Sequence, residues 1–358
     1  MYVNKLLLYN FRNYDFGNIE FSKGTNVIYG ANGIGKTNIL EAIYFLSYAR
    51  SHRNAMDNEL IMFEKENSKI TAAVNCGGRD KTIEIGLFKN KKKQISINKI
   101  SVNKTSDLLG VLNVVMFCPE NLRIVKGSPK DRRKTVDMGM CRYGRKYFKI
   151  LSEYSQILEQ RNRLLKDDPN SDVLDIWTEK LAQSGAMLYS VRKNYIEKLS
   201  AAADVVHQDI CNDKLRLEYK SGIYIADESD IYGCFLNELN KNLDKDKRFG
   251  ITLNGCHRDD FKIFINEIDT KTYASQGQQR TAAISLKMAE LNMLKSFFGE
   301  MPVLLLDDVL SELDIDRQSY ILNNIKDAQV IITCTEADKF TNANLIDAEK
   351  IKNVHTFR

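Results

Sequence analysis

The stretch Gly30-Ala31-Asn32-Gly33-Ile34-Gly35-Lys36-Thr37 constrains this chain more than any other. It follows the apolar run Val27-Ile28-Tyr29 and opens Asn38-Ile39-Leu40-Glu41-Ala42-Ile43, which reads as a helix. The pattern G-x-x-x-x-G-K-[ST] between a strand and a helix is that of a phosphate-binding loop. Its glycines let the backbone curl until N–H groups point inward, and the helix N-terminus adds partial positive charge. Lys36 is then placed to reach the β- and γ-phosphates of a nucleoside triphosphate, and Thr37 to offer its hydroxyl to Mg²⁺.

The C-terminal third supplies what such a loop needs. Pro302-Val303-Leu304-Leu305-Leu306-Asp307-Asp308 reads as a buried strand ending in two acids. Continuous apolar runs of this kind suit a parallel sheet covered on both faces. A carboxylate at that strand end is the expected Mg²⁺ partner (Asp307), and the next acid (Asp308) the group that orients or deprotonates an attacking water. Ser311-Glu312-Leu313-Asp314 follows at once, then a further strand, Val330-Ile331-Ile332-Thr333, whose Thr333 or Thr335 would approach the γ-phosphate. Upstream, Ser275-Gln276-Gly277-Gln278-Gln279-Arg280 precedes an amphipathic helix; hydroxyl, backbone N–H groups and helix dipole together make an anion site.

Between these ends the period changes repeatedly. Residues 2–9 and 18–29 read as two strands separated by Asn10-Phe11-Arg12-Asn13-Tyr14. Arg12 and its aromatic neighbours suit either an adenine ring or phosphate, or else a solvated loop with one buried ring. Arg50-Ser51-His52-Arg53, at the exit of the first helix, fits nucleotide or DNA phosphate contact, or a solvated helix end. Residues 69–103 alternate as an antiparallel meander, with the lysines of 89–93 in a solvated turn. Residues 111–118 form another apolar run. From there to about residue 205 the period is helical. Leu151, Tyr154, Leu158 and Leu165 stripe one helix; Leu174, Trp177, Leu181, Ser184, Leu188, Val191 and Tyr195 form a heptad seam on the next. A turn over 166–172 joins them as a short helical hairpin. Gly255-Cys256-His257-Arg258-Asp259-Asp260 is a polar knot that suits catalysis or internal ion pairing.

Charge is distributed unevenly. Between Asn121 and Lys149 stand ten basic residues against Asp131 and Asp137, a surplus of eight that exceeds the +5 of the whole chain. Lys126, Lys130, Arg132 and Arg133 within it are the candidates for sequence-independent contact with a nucleic-acid backbone. Seven scattered cysteines without C-x-x-C spacing argue for reduced thiols, against a disulfide framework and against a zinc site. No apolar run spans a membrane, and Met1-Tyr2-Val3-Asn4-Lys5 lacks the layout of a secretion signal, so a cytoplasmic protein with no membrane partner is expected.

The phosphate loop, Ser275-Gln276-Gly277-Gln278, the Leu-Leu-Leu-Asp-Asp strand and Ser-Glu-Leu-Asp, in that order, resemble an ABC-type ATPase head of the SMC superfamily. Asn10-Phe11-Arg12-Asn13-Tyr14, Arg50-Ser51-His52-Arg53, Pro119-Glu120-Asn121-Leu122, Arg132-Arg133 and His257-Arg258-Asp259-Asp260 are similar to strings of the RecF family within it. Cys256 stands where that family has Pro, Cys334 varies a threonine stretch, and Glu120 replaces the glutamine of ordinary ABC proteins. The resemblance implies an α/β fold: an ABC-type ATPase head with a mixed parallel sheet and antiparallel meander, and a mainly helical lobe containing the hairpin. Residues 1–118 and 300–358 would form the first lobe and 119–299 the second. It further implies ATP and Mg²⁺ at residues 30–37 with Arg12 and Asn13 nearby, and slow hydrolysis as a switch. Ser275, Gln276, Gly277 and Gln278 would act in trans in an ATP-dependent homodimer. DNA (double-stranded, or a single-strand/double-strand junction) and RecR, RecO and RecA would be partners in repair. A transporter subunit is disfavoured by the Ser-Gln-Gly-Gln-Gln signature and the basic segment. A long-armed bridging protein is disfavoured because only a short hairpin separates Thr37 from Ser275.

Overall fold

The computed structural model describes residues 1–169, 172–309, 313–325, 327–337, 340 and 342–352. Of the second acidic string, Leu310, Ser311 and Glu312 lie outside the described residues. The chain forms two compact units, one of residues 1–121 and 290–358, the other of residues 122–289.

The first unit holds two sheets. One is five-stranded and parallel throughout, in the order Asn344–Asp347, Thr25–Tyr29, Val330–Cys334, Val303–Asp307, Val114–Phe117. Residues 303–306 and 330–332 on its central strands are buried, which is why they are runs of Val, Ile and Leu before the polar strand ends. The other is a six-stranded antiparallel sheet ordered Tyr14–Glu20, Tyr2–Phe11, Asn67–Cys76, Arg79–Phe88, Lys91–Ile97, Ile100–Val102. The helix Lys36–Tyr48 contacts strands of both sheets. It is accordingly apolar nearly all round, with Ile39, Leu40, Ala42, Ile43, Phe45 and Leu46 fully buried.

Two readings of this region need correction. Residues 18–29 are not one strand: the chain leaves the antiparallel sheet at Glu20 and enters the parallel one at Thr25. The buried Asn26 side chain holds that break, accepting from the Ser22 N–H at 2.7 Å and donating to the carbonyls of Ser22 and Gly24. Nor is the whole lysine turn solvated. Lys93 Nζ donates to the Ala49 carbonyl at 2.6 Å and pairs with Asp57 at 3.0 Å.

The second unit is mainly helical. The helices Arg145–Asp167 and Val173–Cys211 pack against each other as the expected hairpin. Leu174, Leu181, Leu188 and Tyr195 bury one face of the longer helix, together with Thr178, Gly185 and Arg192. A three-stranded antiparallel sheet, Ile268–Asp269, Asp260–Ile265, Leu215–Lys220, completes the unit. Arg161 sits fully buried on the hairpin's apolar stripe, paired with Asp246 at 2.8 Å and bonded to Thr178 and Thr252. Among the described residues no helix is long and apolar enough to cross a membrane.

Candidate nucleotide site

Sheet register assembles the site. Thr25–Tyr29 lies beside Val330–Cys334, which lies beside Val303–Asp307, all parallel, so their C-terminal ends are level. Asp307 is the register partner of Thr333, and Cys334 that of Tyr29, the residue before the loop. The loop and two acidic strand-end residues, remote in sequence, therefore converge.

At the loop itself, Lys36 Nζ curls onto the Gly30 and Ala31 carbonyls at 2.6 and 3.0 Å. Gly35 has φ 115°, and a Cβ there would stand 2.6 Å from the Asn13 amide. Only glycine meets both demands. Asn13 in turn donates to the Ile34 carbonyl at 2.9 Å and accepts from Asn38 at 2.9 Å. Asn13 thus ties the hairpin turn to the loop and to the first helical turn.

Asp307 accepts from the Thr37 hydroxyl and from the Thr333 hydroxyl, each at 2.8 Å and each on Oδ1. Burial raises its carboxyl above the usual range, against the lowering effect of these two hydroxyls. Asp308 differs in every respect. It adopts a left-handed φ of 54°, leaves the strand direction and is exposed, while its N–H donates to Thr333 Oγ1 at 3.1 Å. Asp tolerates that conformation better than most side chains. One acid is thus held inward and the next is turned outward.

Arg12 has a defined partner that sequence reading missed. Its Nε and Nη2 form a two-point pair with the fully buried Glu41 at 2.9 Å each, and Nη1 donates to the Glu59 carbonyl at 2.9 Å. Ser51 donates to the same carboxylate, and His52 lies beside it. Although burial works the other way, the bonds from Arg12 and Ser51 hold Glu41 below the ordinary range. Burial brings His52 down to about 4, against the attraction of Glu41. Of the Arg50–Arg53 string, then, Ser51 and His52 face inward while Arg50 and Arg53 are exposed. Arg12, Asn13, Asn38, Arg53 and Phe63 line an open cleft of about 780 Å³. Glu120 lies on a short 3-10 turn, Pro119–Leu122. Burial acts to raise its carboxyl, but hydrogen bonds from its own backbone and from Cys118, with the charges of His52 and Arg53, hold it below the usual value. The signal for the Arg12–Glu41 pair was a lone Glu among apolar residues of the loop-following helix.

In the second unit Ser275 caps the helix Gln276–Phe298. Its Oγ accepts from the Gln278 N–H at 3.2 Å, and the Gln278 side chain accepts from the Ser275 N–H at 2.9 Å. This reciprocal pair is a capping box. Ser275, Gln276, Gly277 and Gln278 are all exposed.

The basic segment separates into two kinds of residue. Lys126 and Lys130 are exposed. Arg132 is 6% exposed and clamps Asp260 through two bonds of 2.6 and 2.7 Å, and Arg133 donates to the Asp259 carbonyl at 2.6 Å. Placing Arg132 at a nucleic-acid surface is therefore corrected: it is an internal cation neutralised by a carboxylate. The polar knot is structural too. Asp259 accepts from Arg192, Tyr219 and the Gly222 N–H, and Arg192 also pairs with Asp137. His257 bonds Tyr154 at 3.0 Å and the Thr252 carbonyl at 2.9 Å, and burial depresses it to about 4.

This fold, with a phosphate loop level with a carboxylate strand end, defines an ABC-type ATPase head of the SMC kind. Residues 2–356 match the family model described as RecF/RecN/SMC N terminal domain. The chain is 45% identical over 364 residues to the DNA replication and repair protein RecF of Clostridium botulinum, covering 99% of this chain and 100% of that one. A solved structure of the recombination mediator protein RecF-ATPrS in the RecFOR pathway superposes with a TM-score of 0.90 at 38% identity, covering 97% of each chain. Another, of RecF-ATP, gives 0.90 at 40% identity over 94% of this chain and 92% of that one. The chain belongs to the RecF family.

Proposed function

We propose that this protein binds ATP at residues 30–37 and uses it as a switch that joins two copies on DNA. The observation that carries the reading is the 2.8 Å bond between Thr37, in the phosphate loop, and Asp307, at the end of its strand. A hydroxyl and a carboxylate beside a phosphate loop are the donor set that suits Mg²⁺, and the relatives solved as RecF-ATP and RecF-ATPrS support the nucleotide. Mg²⁺ held by Thr37 and Asp307 would neutralise charge on the transferring phosphoryl group.

This chain's own residues do the rest. Lys36 exchanges the Gly30 and Ala31 carbonyls for phosphate oxygens, while loop N–H groups cradle the phosphates. Arg12, anchored by Glu41, and Asn13 border the cleft that receives the remainder of the nucleotide. Asp308, turned outward, accepts a proton from the attacking water. Ser275 and Gly277, with Gln276 and Gln278, offer an exposed helix N-terminus to the γ-phosphate held by a second copy. Only the triphosphate bridges two such copies, so hydrolysis releases them.

DNA contact falls to the exposed part of the basic segment, Lys126 and Lys130 foremost, as backbone contact that weakens with salt. In this reading the substrate is double-stranded DNA or a single-strand/double-strand junction; the relatives described as a DNA replication and repair protein and as a recombination mediator support a role on DNA. RecR, RecO and RecA are the partners that fit this role in gap repair. ATP turnover and sedimentation, measured together with and without duplex DNA, test the reading. ATP is expected to raise the sedimenting mass to that of a dimer, and DNA to stimulate turnover. An ATP-independent mass with DNA-insensitive turnover would contradict it.

A further inference from the structure

The helix Val173–Cys211 ends in a cluster that nucleotide chemistry does not use. One ligand atom each from His207, Cys211 and Asp213 lie within 4.8 Å of one another. His207 and Cys211, four residues apart, share a face of the last helical turn. Asn212 then takes a left-handed φ of 62° and ends the helix, which brings Asp213 back toward that face. Asn266 holds Asp213 in place by donating to its Oδ1 at 2.8 Å, while accepting from the Lys214 N–H at 3.0 Å.

The Ser285 hydroxyl lies 2.9 Å from both the Thr281 carbonyl and His207 Nδ1. With its one proton given to the carbonyl it accepts from Nδ1–H, and that tautomer leaves the His207 lone pair on Nε2. A ring fixed through Nδ1–H with Nε2 left basic is how metal-binding histidines are oriented.

We propose that His207 Nε2, Cys211 Sγ and the Asp213 carboxylate bind a zinc-class divalent cation, with a fourth position open to solvent. Nitrogen, thiolate and carboxylate together are a donor set that Zn²⁺ accepts. The Cys211 thiol now donates to the His207 carbonyl at 3.3 Å. On metal uptake the S–H bond breaks, a sulfur–metal bond forms and the proton passes to solvent, with no change in oxidation state. The ion would fasten the end of a 39-residue helix to the segment entering the strand Leu215–Lys220. The expectation of no zinc site came from seeking C-x-x-C pairs; here the spacing is His-x-x-x-Cys-x-Asp.

The test is a Co²⁺ titration of the full chain after chelator treatment, with thiols kept reduced by a phosphine. One equivalent is expected to give thiolate-to-cobalt charge-transfer absorption that Zn²⁺ abolishes. Cys211→Ser, at an exposed position, should remove that absorption, whereas Cys234→Ser should leave it. Asp213→Asn should weaken Zn²⁺ affinity at least about tenfold in competition with a chromophoric chelator. Absence of the absorption, or its survival in Cys211→Ser, would overturn the proposal.

Discussion

The Thr37 hydroxyl and the Asp307 carboxylate, 270 residues apart in sequence, meet at 2.8 Å. Three parallel strands in register bring them together, and Thr333 on the middle strand bonds the same carboxylate oxygen. Asp307 is buried and doubly bonded, whereas Asp308 is exposed. The two acids are therefore expected to have separable roles.

Asp308→Asn should keep ATP binding and the fold while turnover falls about 10² to 10⁴-fold, the usual worth of a positioned general base. Asp307→Asn should instead lose the response of nucleotide binding to Mg²⁺. Equilibrium binding of a fluorescent ATP analogue with and without Mg²⁺, beside single-turnover hydrolysis, separates the two. Equal behaviour of both variants would refute the division.

Arg12→Ala leaves the Glu41 carboxylate buried without its two-point partner. Removing one member of a buried pair costs about 3–5 kcal/mol, so the urea midpoint of the first unit should fall markedly. Arg12→Lys should recover only part of it, since an ammonium cannot make the paired bonds of a guanidinium. A double variant, Arg12→Met with Glu41→Leu, should be more stable than Arg12→Ala; equal loss in both would argue against the pair.

Lys126→Glu with Lys130→Glu should weaken duplex binding without altering ATP affinity. If both lysines touch phosphates, the slope of log affinity against log salt should shrink by about 2. Arg132→Glu is a poor probe of the same question, because it sets a second acid against Asp260 and should destabilise the second unit itself. An unchanged salt slope in the lysine variant would remove this segment from the DNA surface.

His52 and His257 are both brought by burial from 6.5 to about 4. Unfolded chain binds these protons below about 6.5 while folded chain does not, so stability is full above that pH and is lost as pH falls toward about 4. Each histidine contributes a slope of up to about 1.4 kcal/mol per pH unit in that window. Urea midpoints between pH 7 and 4 should follow it, and His257→Gln should flatten its share. A midpoint constant across the window would contradict the burial of both rings.

Much of the candidate site's geometry was legible because its signals are local. Gly30–Thr37 carries its own turn chemistry, and the Leu304–Leu306 run announces a doubly covered strand. The rest depended on pairings that no local period reports. Arg12 and Glu41 stand 29 residues apart, and Arg132 and Asp260 stand 128 apart. A run of basic residues reads as a surface until its carboxylates are located. Arg161 was invisible for a related reason: its partners Thr178, Asp246 and Thr252 come from three other segments. The strand over 18–29 was merged because Asn26 looks like an ordinary polar strand residue, although its side chain bonds the turn before it.

The central claim is that each phosphate loop is completed by the signature of another copy. Lys36→Ala should abolish ATP binding, and Ser275→Ala should bind ATP yet fail to dimerise. The direct measurement is sedimentation and ATP turnover of an equimolar mixture of the two variants. Their mixed dimer holds one intact loop facing one intact signature, so ATP should restore a dimer and a fraction of wild-type turnover that neither variant shows alone. A mixture as inactive and monomeric as its separate components would contradict the account, and so would a Ser275→Ala protein that dimerises normally with ATP by itself.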